Sequence, residues 1–183
     1  MPLAIIFRAM DKIPLDDLRQ RTVIVGNCGA GKSTLAEKLA RIVNVPAIDL
    51  DQLHWEEGGY GRKRNEELAK SLVRDVAATP HWIIEGVFGW LAEVALPRAT
   101  ALIWLDIPWN VCRESLVQRR PLLGATDRDH AELLAWAEAY WERQTSSSFT
   151  GHARLFADFL GLKLKLIDRR DVHKFISELK DSG

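Results

Sequence analysis

The sequence predicts an α/β protein in which helices cover both faces of a parallel sheet, a three-layer α/β/α architecture. Apolar runs typical of strands alternate with segments of helical periodicity along most of the 183 residues. Two of these runs, Trp82–Glu85 and Ala101–Asp106, are almost uninterrupted, as expected of strands that are covered on both faces. A chain of this length suits one domain with a sizeable core.

The predicted elements follow one another as strand and helix. Each strand is a short apolar run, and each helix has apolar residues at three- and four-residue spacing. The strands are predicted at Thr22–Val25, Pro46–Leu50, Trp82–Glu85, Ala101–Asp106 and Leu162–Ile167. The helices are predicted at Lys32–Arg41, Asn65–Ala78, Trp90–Leu96, Asn110–Arg119, Asp129–Arg143 and Val172–Leu179. Residues 1–20 are expected to form an N-terminal extension, and residues 21–183 the domain itself.

Two segments interrupt the alternation, and both follow the carboxyl end of a predicted strand. Residues 56–64 contain three glycines and a basic run, and residues 120–151 carry a helix rich in Ala, Leu and Trp that ends in hydroxyl residues. Open α/β sheets bind ligands at the carboxyl ends of their strands. We therefore expect a region of about residues 52–80 to bind a phosphoryl acceptor, and about residues 120–151 to form a small lid or insert.

Charge and cysteine content argue against several classes of protein. Twenty-five Lys and Arg balance twenty-five Asp and Glu, so no global field attracts nucleic acid or an anionic membrane. Cys28 and Cys112 are far apart in sequence and resemble neither a metal knuckle nor a redox pair, which favours a reducing, cytoplasmic location. Arg8 interrupts the apolar stretch of residues 1–10, so we expect neither a signal peptide nor a membrane span.

The most specific motif joins the first predicted strand to the first helix. Residues 26–33 read GNCGAGKS and fit the phosphate-binding pattern G-x-x-x-x-G-K-[ST]. Its glycines let backbone N–H groups converge on phosphate oxygens at the positive end of the helix. Lys32 would reach the β- and γ-phosphates and Ser33 would ligate Mg²⁺, so the motif predicts ATP and Mg²⁺ as cofactors. The residues predicted to bind the nucleotide here are Gly26, Gly29, Ala30, Gly31, Lys32, Ser33 and Thr34.

Carboxylates at the ends of two strands are candidates for metal binding and proton transfer. If the second strand continues, Asp49 and Asp51 project to the same side, close to the phosphate loop. Asp49 would hold Mg²⁺ through water, and Asp51 would accept the proton of an attacking hydroxyl. Glu85 ends the third strand, where it would order the water shell of the metal. The alternative for Asp49 and Asp51 is a pair of solvated carboxylates that cap the following segment, and the alternative for Glu85 is an acid at a strand end or a charge at a helix N-terminus.

Five further residues are candidates for substrate or phosphate contacts. His54 and Trp55 follow Asp51 and are predicted to contact the acceptor, with packing as the alternative for His54. Trp55 and Trp90 are placed where a ring could stack on a substrate. Gly86 would let the backbone approach a ligand. Arg119 is predicted at the exit of a helix, where a mobile guanidinium would stabilise the charge of phosphoryl transfer; the alternative is a solvated charge.

With these residues assembled, the chain resembles the adenylate kinase-like group of P-loop kinases from about Arg21 to Leu179. Residues 49–54 (DLDQLH) resemble the D-x-D-x-L-H stretch of gluconate kinases and, less closely, the D-x-D of shikimate kinases, where it contacts acceptor and metal. Residues 82–86 (WIIEG) resemble the strand of adenylate kinases that ends in D-G. Residues 166–170 (LIDRR) occupy the place of the loop that packs on adenine, which implies a nucleotide contact for Arg170.

The resemblance is greatest to the bacterial adenylate kinase-related group labelled DNA topology modulation proteins, which share the D-x-D-x-L-x-W and W-I-I-[DE]-G stretches. It implies a P-loop NTPase fold with five parallel strands in the order 2-3-1-4-5. Ser115 stands where adenylate kinases have their first lid arginine, which argues against AMP as acceptor. The leading hypothesis is an ATP- and Mg²⁺-dependent kinase of a small hydroxylated or phosphorylated metabolite. The alternatives are a nucleotide-binding switch or weak ATPase that acts on a protein partner, and a role in DNA topology.

Overall fold

The computed structural model of the protein describes residues 5–6, 15–57, 62–119 and 126–181. Parts of the predicted basic loop (58–61) and of the predicted lid (120–125) lie outside the described residues. The strands are β1 (Ile5–Ile6), β2 (Arg21–Gly26), β3 (Ala47–Asp49), β4 (Trp82–Gly86), β5 (Ala101–Leu105) and β6 (Leu162–Leu166). The helices are α1 (Leu15–Gln20), α2 (Lys32–Val43), α3 (Leu50–His54), α4 (Glu66–Ala78), α5 (Gly89–Ala95), α6 (Trp109–Gln118), α7 (Asp127–Glu138), α8 (Phe149–Asp158) and α9 (Arg169–Asp181).

The strands of the described residues form one parallel sheet in the order β1-β6-β5-β2-β4-β3. Without β1, and numbered as predicted, this order is 2-3-1-4-5, so the predicted fold class is confirmed. β2 lies between β4 and β5, and Val23 pairs in register with Ile84 and Leu102. Every residue of β4 and β5 is buried, as their uninterrupted apolar sequences predicted.

Two apolar layers separate the sheet from its helices. Successive residues of a strand point to opposite faces, and accordingly Ile24 belongs to one layer and Val23 to the other. The first layer includes Leu35 of α2 and Phe175 of α9; the second includes Val73 of α4, with further side chains of α5 and α8. No helix among the described residues is long and apolar enough to cross a bilayer.

The second predicted strand is shorter than expected, because β3 ends at Asp49 and α3 begins at Leu50. The carboxylate of Asp49 accepts a hydrogen bond from the backbone N–H of Asp51 at 2.8 Å. An Asp at this position stabilises the start of a helix, and the chain therefore leaves the sheet here. The expectation that Asp49 and Asp51 project from one continuing strand is wrong.

β1, α1 and α8 were not predicted. β1 extends the edge of the sheet beside β6, and α1 places Leu18 in the core. The backbone N–H of Gly151, in the first turn of α8, donates to the hydroxyl of Ser148 at 3.4 Å. A hydroxyl run followed by Gly151 is a loop signal in sequence, which is why α8 was missed. The helix predicted at Asp129–Arg143 ends at Glu138 instead, and a 3-10 turn follows it.

Candidate functional site

The loop between β2 and α2 is shaped to bind an anion. Gly29 and Gly31 have φ angles of 76° and 92°, in the left-handed region that glycine adopts without strain. Gly31 caps α2 with no side chain bonded to the first-turn N–H groups, and that turn contains no acidic residue. The positive end of α2 is therefore open to a phosphate group.

Lys32 folds back over this loop. Its ammonium group donates to the carbonyl oxygen of Asn27 at 3.0 Å, and the residue is only 9% exposed. The loop borders a cavity of about 1080 Å³. The predicted loop residues that line this cavity are Gly29, Gly31, Lys32, Ser33 and Thr34. Gly26 and Ala30 are buried and support the loop without lining the cavity.

An arginine that the sequence analysis did not single out holds the loop from α9. Arg169 donates to the carbonyl oxygens of Ala30 at 2.6 Å and Gly29 at 3.0 Å. A third bond reaches the hydroxyl of Ser115 at 3.1 Å. These contacts neutralise two carbonyl oxygens beside the anion site, which would otherwise repel a phosphate. Because Arg169 and Arg170 are adjacent, only the register of α9 shows which of them reaches the loop.

Arg170, the arginine that was predicted, is exposed and pairs with Asp168 at 3.0 Å. It does not line the cavity. Its contact with a nucleotide therefore stays a prediction.

Asn27 connects the phosphate loop to α7. Its buried side-chain N–H group donates to the carbonyl oxygen of Ala137 at 2.8 Å, and its side-chain oxygen accepts from the N–H of Cys28 at 2.8 Å. Ala137 lies in the last turn of the helix that the sequence placed in the lid region. The motif leaves position 27 unspecified, so no sequence signal indicated this link.

Carboxylates lie close to Lys32. Asp49 pairs in register with Glu85 on the neighbouring strand. Glu85 is 3% exposed, and burial raises the pKa of its carboxyl group against the opposing effect of the Lys32 charge. Asp51 is exposed and lines the cavity. Desolvation by the surrounding protein, together with the charge of Asp49, raises the pKa of Asp51 to about 6.

The donor set fits Mg²⁺. Ser33 is hydrogen-bonded to Glu85, and both line the cavity, whereas Asp49 does not. Mg²⁺ prefers oxygen ligands and is usually held by one or two carboxylates together with phosphate oxygens and water. A cation would also offset the repulsion between the carboxylates of Glu85, Asp49 and Asp51. Within the described ranges no three His, Cys, Asp or Glu side chains could hold a metal by themselves, so phosphate oxygens and water would complete the coordination.

Arg119 follows the last residue of α6, is exposed and lines the cavity. Its charge opposes the burial that raises the pKa of Asp51. The structure therefore brings Lys32, Asp51 and Arg119 to one cavity, as a phosphoryl-transfer site requires.

A second wall of the cavity is aromatic. The ring of His54 lies against those of Phe88 and Trp55, with centroid distances of 4.0 Å and 4.4 Å. The ring of Trp90 is 5.8 Å from that of His54. All four residues line the cavity, and contact of His54 and Trp55 with an acceptor stays a prediction. We call His54, Trp55, Phe88 and Trp90 the aromatic wall.

Gly86 has a packing role in the structure. A Cβ atom at this position would lie 2.6 Å from the Cβ of Leu50, so the glycine lets β4 pack closely against α3. Gly86 does not line the cavity.

A buried series of hydrogen bonds next to the cavity was not predicted from the sequence. His152 Nε2 lies 3.0 Å from the carbonyl oxygen of Val87, and because a carbonyl only accepts, Nε2 carries the proton. Nδ1 therefore accepts from the hydroxyl of Tyr140 at 2.7 Å. The Tyr140 oxygen accepts in turn from the indole N–H of Trp104 at 3.3 Å. These hydrogen bonds connect α8 to Val87, which lines the cavity.

The sheet order and the phosphate loop define a P-loop kinase fold, and solved structures agree. The chain is similar to a shikimate kinase from Bacteroides thetaiotaomicron, with 20% identity, a TM-score of 0.52, and 88% of this chain and 96% of that chain covered. It is also similar to a gluconokinase from Sinorhizobium meliloti 1021, with 16% identity, a TM-score of 0.56, and coverage of 90% and 91%.

A third similar structure is a shikimate kinase from Acinetobacter baumannii in complex with shikimate, with 14% identity, a TM-score of 0.53, and coverage of 91% and 94%. No model of a known protein family matches the chain. At these identities the likeness establishes the fold, which is that of P-loop kinases of small molecules.

Proposed function

We propose that this protein is an ATP- and Mg²⁺-dependent kinase that transfers a phosphoryl group to a hydroxyl of a small metabolite. One observation carries the proposal: the phosphate loop, Asp51, Glu85 and the aromatic wall all line a single cavity of about 1080 Å³. Pockets for one drug-sized ligand measure about 300–1,000 Å³, so this cavity has room for a nucleotide beside a small acceptor. The fold shared with small-molecule kinases supports the same function.

In the proposed reaction the acceptor oxygen forms a bond to the γ-phosphorus of ATP, and the bond from that phosphorus to the bridging oxygen breaks to release ADP. Asp51 takes the proton of the acceptor hydroxyl, and a pKa of about 6 suits a base that works near neutral pH. The loop N–H groups and Lys32 bind the phosphates, and Arg119 stabilises the charge on the transferring oxygens. Ser33 and Glu85, with Asp49 acting through water, would hold Mg²⁺, which neutralises phosphate charge when bound.

The test is ADP release by the purified protein with ATP, MgCl₂ and a panel of metabolites. Lys32→Ala should lower this rate on the order of a hundredfold to a thousandfold, because it removes a preorganised positive charge from the phosphates. Circular dichroism should be unchanged, since the Lys32 ammonium group bonds to a loop carbonyl. Lys180→Ala, on the exposed surface of α9, is the matched control. Wild-type ADP release by a folded Lys32→Ala variant would contradict the assignment of the loop.

A second measurement separates a kinase from a nucleotide-dependent switch. Metabolites are added in the presence of a non-hydrolysable ATP analogue, and the melting temperature is followed, because a ligand that binds only the folded state raises it. A kinase should be stabilised by at least one metabolite that also accelerates ADP release. Hydrolysis of ATP that no metabolite accelerates, with no metabolite that stabilises the protein, would favour a switch or weak ATPase.

A further inference from the structure

The aromatic wall offers ring surface to the cavity. Trp55, Phe88 and Trp90 are each half-buried, and all of them line the cavity together with His54. Phe88 and Trp90 also pack against the core of the sheet, which fixes their positions from behind. A ligand in this part of the cavity meets mainly aromatic carbon.

The backbone holds the wall in a fixed position relative to Asp51. Asp51 and His54 are three residues apart on α3, and this spacing places them on the same side of the helix. The guanidinium of Arg64 donates to the carbonyl oxygens of Leu53 at 3.1 Å and Trp55 at 2.9 Å. These bonds fix the chain where α3 ends, so the wall is preorganised for a ligand.

The polar groups around the wall indicate what else the ligand carries. Lys63, which pairs with Trp55 in an antiparallel bridge, lines the cavity. Burial first, and then the charge of Lys63, lower the pKa of His54, whereas the charge of Glu66 raises it. His54 is 7% exposed, and its Nδ1 atom has no hydrogen-bond partner among the described residues. The wall thus combines aromatic carbon with the Nδ1 atom of His54, and the charged residues Lys63, Arg64 and Glu66 line the same cavity.

We propose that the acceptor is an anionic aromatic alcohol: a planar aromatic or heteroaromatic ring that bears a hydroxyl-carrying substituent and a carboxylate or phosphate. The ring stacks on the aromatic wall, the anionic group faces Lys63, and the hydroxyl reaches Asp51. An open-chain sugar acid has no flat ring to stack on these side chains, so it would gain less from the aromatic wall. This inference rests on the proposed function, and the transfer step is the one given there.

Two probes that differ only in the ring provide the test. They are 4-(hydroxymethyl)benzoate and its saturated counterpart, 4-(hydroxymethyl)cyclohexanecarboxylate, with gluconate as the open-chain sugar acid. Binding is measured by calorimetry in the presence of a non-hydrolysable ATP analogue and MgCl₂. We expect the aromatic probe to bind at least about tenfold more tightly than the other two, because stacking on an aromatic side chain has about that effect on affinity.

Variants of the aromatic wall test whether the tighter binding of the aromatic probe depends on these rings. Trp55→Leu and Trp90→Leu should each weaken binding of the aromatic probe about tenfold and leave the affinity for the ATP analogue unchanged. Trp109→Leu is the matched control, because Trp109 lies on α6 and does not line the cavity. It should change neither affinity.

Three results would overturn the inference: equal binding of the saturated probe or gluconate, unchanged binding of the aromatic probe in both variants, or no binding of the aromatic probe at millimolar concentration. Each of these leaves the proposed function standing if wild-type protein binds ATP and Lys32→Ala loses ADP release. Failure of wild-type protein to bind ATP would contradict the proposed function itself.

Discussion

The phosphate loop and the aromatic wall line the same cavity but are held in place by different interactions. Hydrogen bonds to backbone carbonyl groups fix the loop, from Lys32 to Asn27 and from Arg169 to Ala30 and Gly29. Packing of rings around His54 forms the wall. Backbone N–H groups recognise one fixed chemical group, a phosphate, whereas ring surfaces recognise the shape of a ligand.

This difference shows where variation in function can arise within one fold. A loop built on its own backbone tolerates little change in sequence, because its glycines adopt conformations that other residues avoid. A wall of side chains can be replaced residue by residue while the sheet behind it is kept. We therefore expect the choice of acceptor to depend on the aromatic wall, and nucleotide binding to depend on the loop.

The strongest test of this difference is Asp51, which lines the same cavity as the phosphate loop and the aromatic wall. Asp51→Asn should lower phosphoryl transfer on the order of a hundredfold or more, because the variant has no group to take the hydroxyl proton. Calorimetry with a non-hydrolysable ATP analogue should give near wild-type affinity, since the loop is unchanged. Gln52→Ala, an exposed neighbour that does not line the cavity, is the control. If Asp51→Asn transfers phosphate at the wild-type rate, Asp51 is not the base.

The difference between local and long-range interactions explains what could be predicted from the sequence. The phosphate loop was predicted almost residue by residue, because its strand, glycines and helix are contiguous. The turn at Asp49 was stated only as the alternative, because capping of α3 competes with continuation of the strand and the sequence shows both as possible. The roles of Arg169 and His152 depend on partners more than 50 residues away. Long-range partners of this kind leave no local pattern.

The next largest effect is expected at His152, which holds α8 against Val87. Burial lowers the pKa of His152 from 6.5 to about 3. His152 therefore becomes protonated near pH 6.5 in the unfolded chain, whereas it stays neutral at that pH in the folded protein. The neutral ring contributes to the free energy of unfolding above pH 6.5, and this contribution is lost as the pH falls toward 3. By pH 4 the loss amounts to about 3 kcal/mol.

Denaturant unfolding as a function of pH checks this prediction. His152→Gln should be less stable than wild type near neutral pH, because the amide does not fill the buried site of the ring that joins Tyr140 to Val87, and the difference should shrink as the pH falls below 6.5. Asp51 makes an opposite contribution, because its raised pKa favours the folded state on acidification. This contribution is the same in both proteins and cancels when the free energy of unfolding of the variant is subtracted from that of wild type. Exposed His81→Gln should follow wild type throughout. A constant difference between His152→Gln and wild type would mean that the ring is not held neutral.

A smaller effect, on the rate of phosphoryl transfer alone, is expected at Arg119, which belongs to neither the phosphate loop nor the aromatic wall. Arg119→Ala should lower kcat about tenfold or more, because its charge acts on oxygens whose charge changes during transfer. Affinity for ATP by calorimetry should change little. Arg113→Ala removes an exposed arginine of α6 that does not line the cavity, and it should leave kcat unchanged. Equal, small effects of both variants would show that Arg119 is only a solvated charge.

The smallest effect separates two adjacent arginines of α9. Arg169→Ala removes three hydrogen bonds that hold the phosphate loop and Ser115, and we expect ATP affinity to fall about fivefold to tenfold, which corresponds to the net contribution of one ordinary hydrogen bond. Arg170→Ala removes only an exposed pair with Asp168, which contributes little. Calorimetry with the ATP analogue measures both. If Arg170→Ala weakens binding and Arg169→Ala does not, the nucleotide is recognised by a direct contact from α9, and the hydrogen bonds from Arg169 do not determine the affinity of the loop.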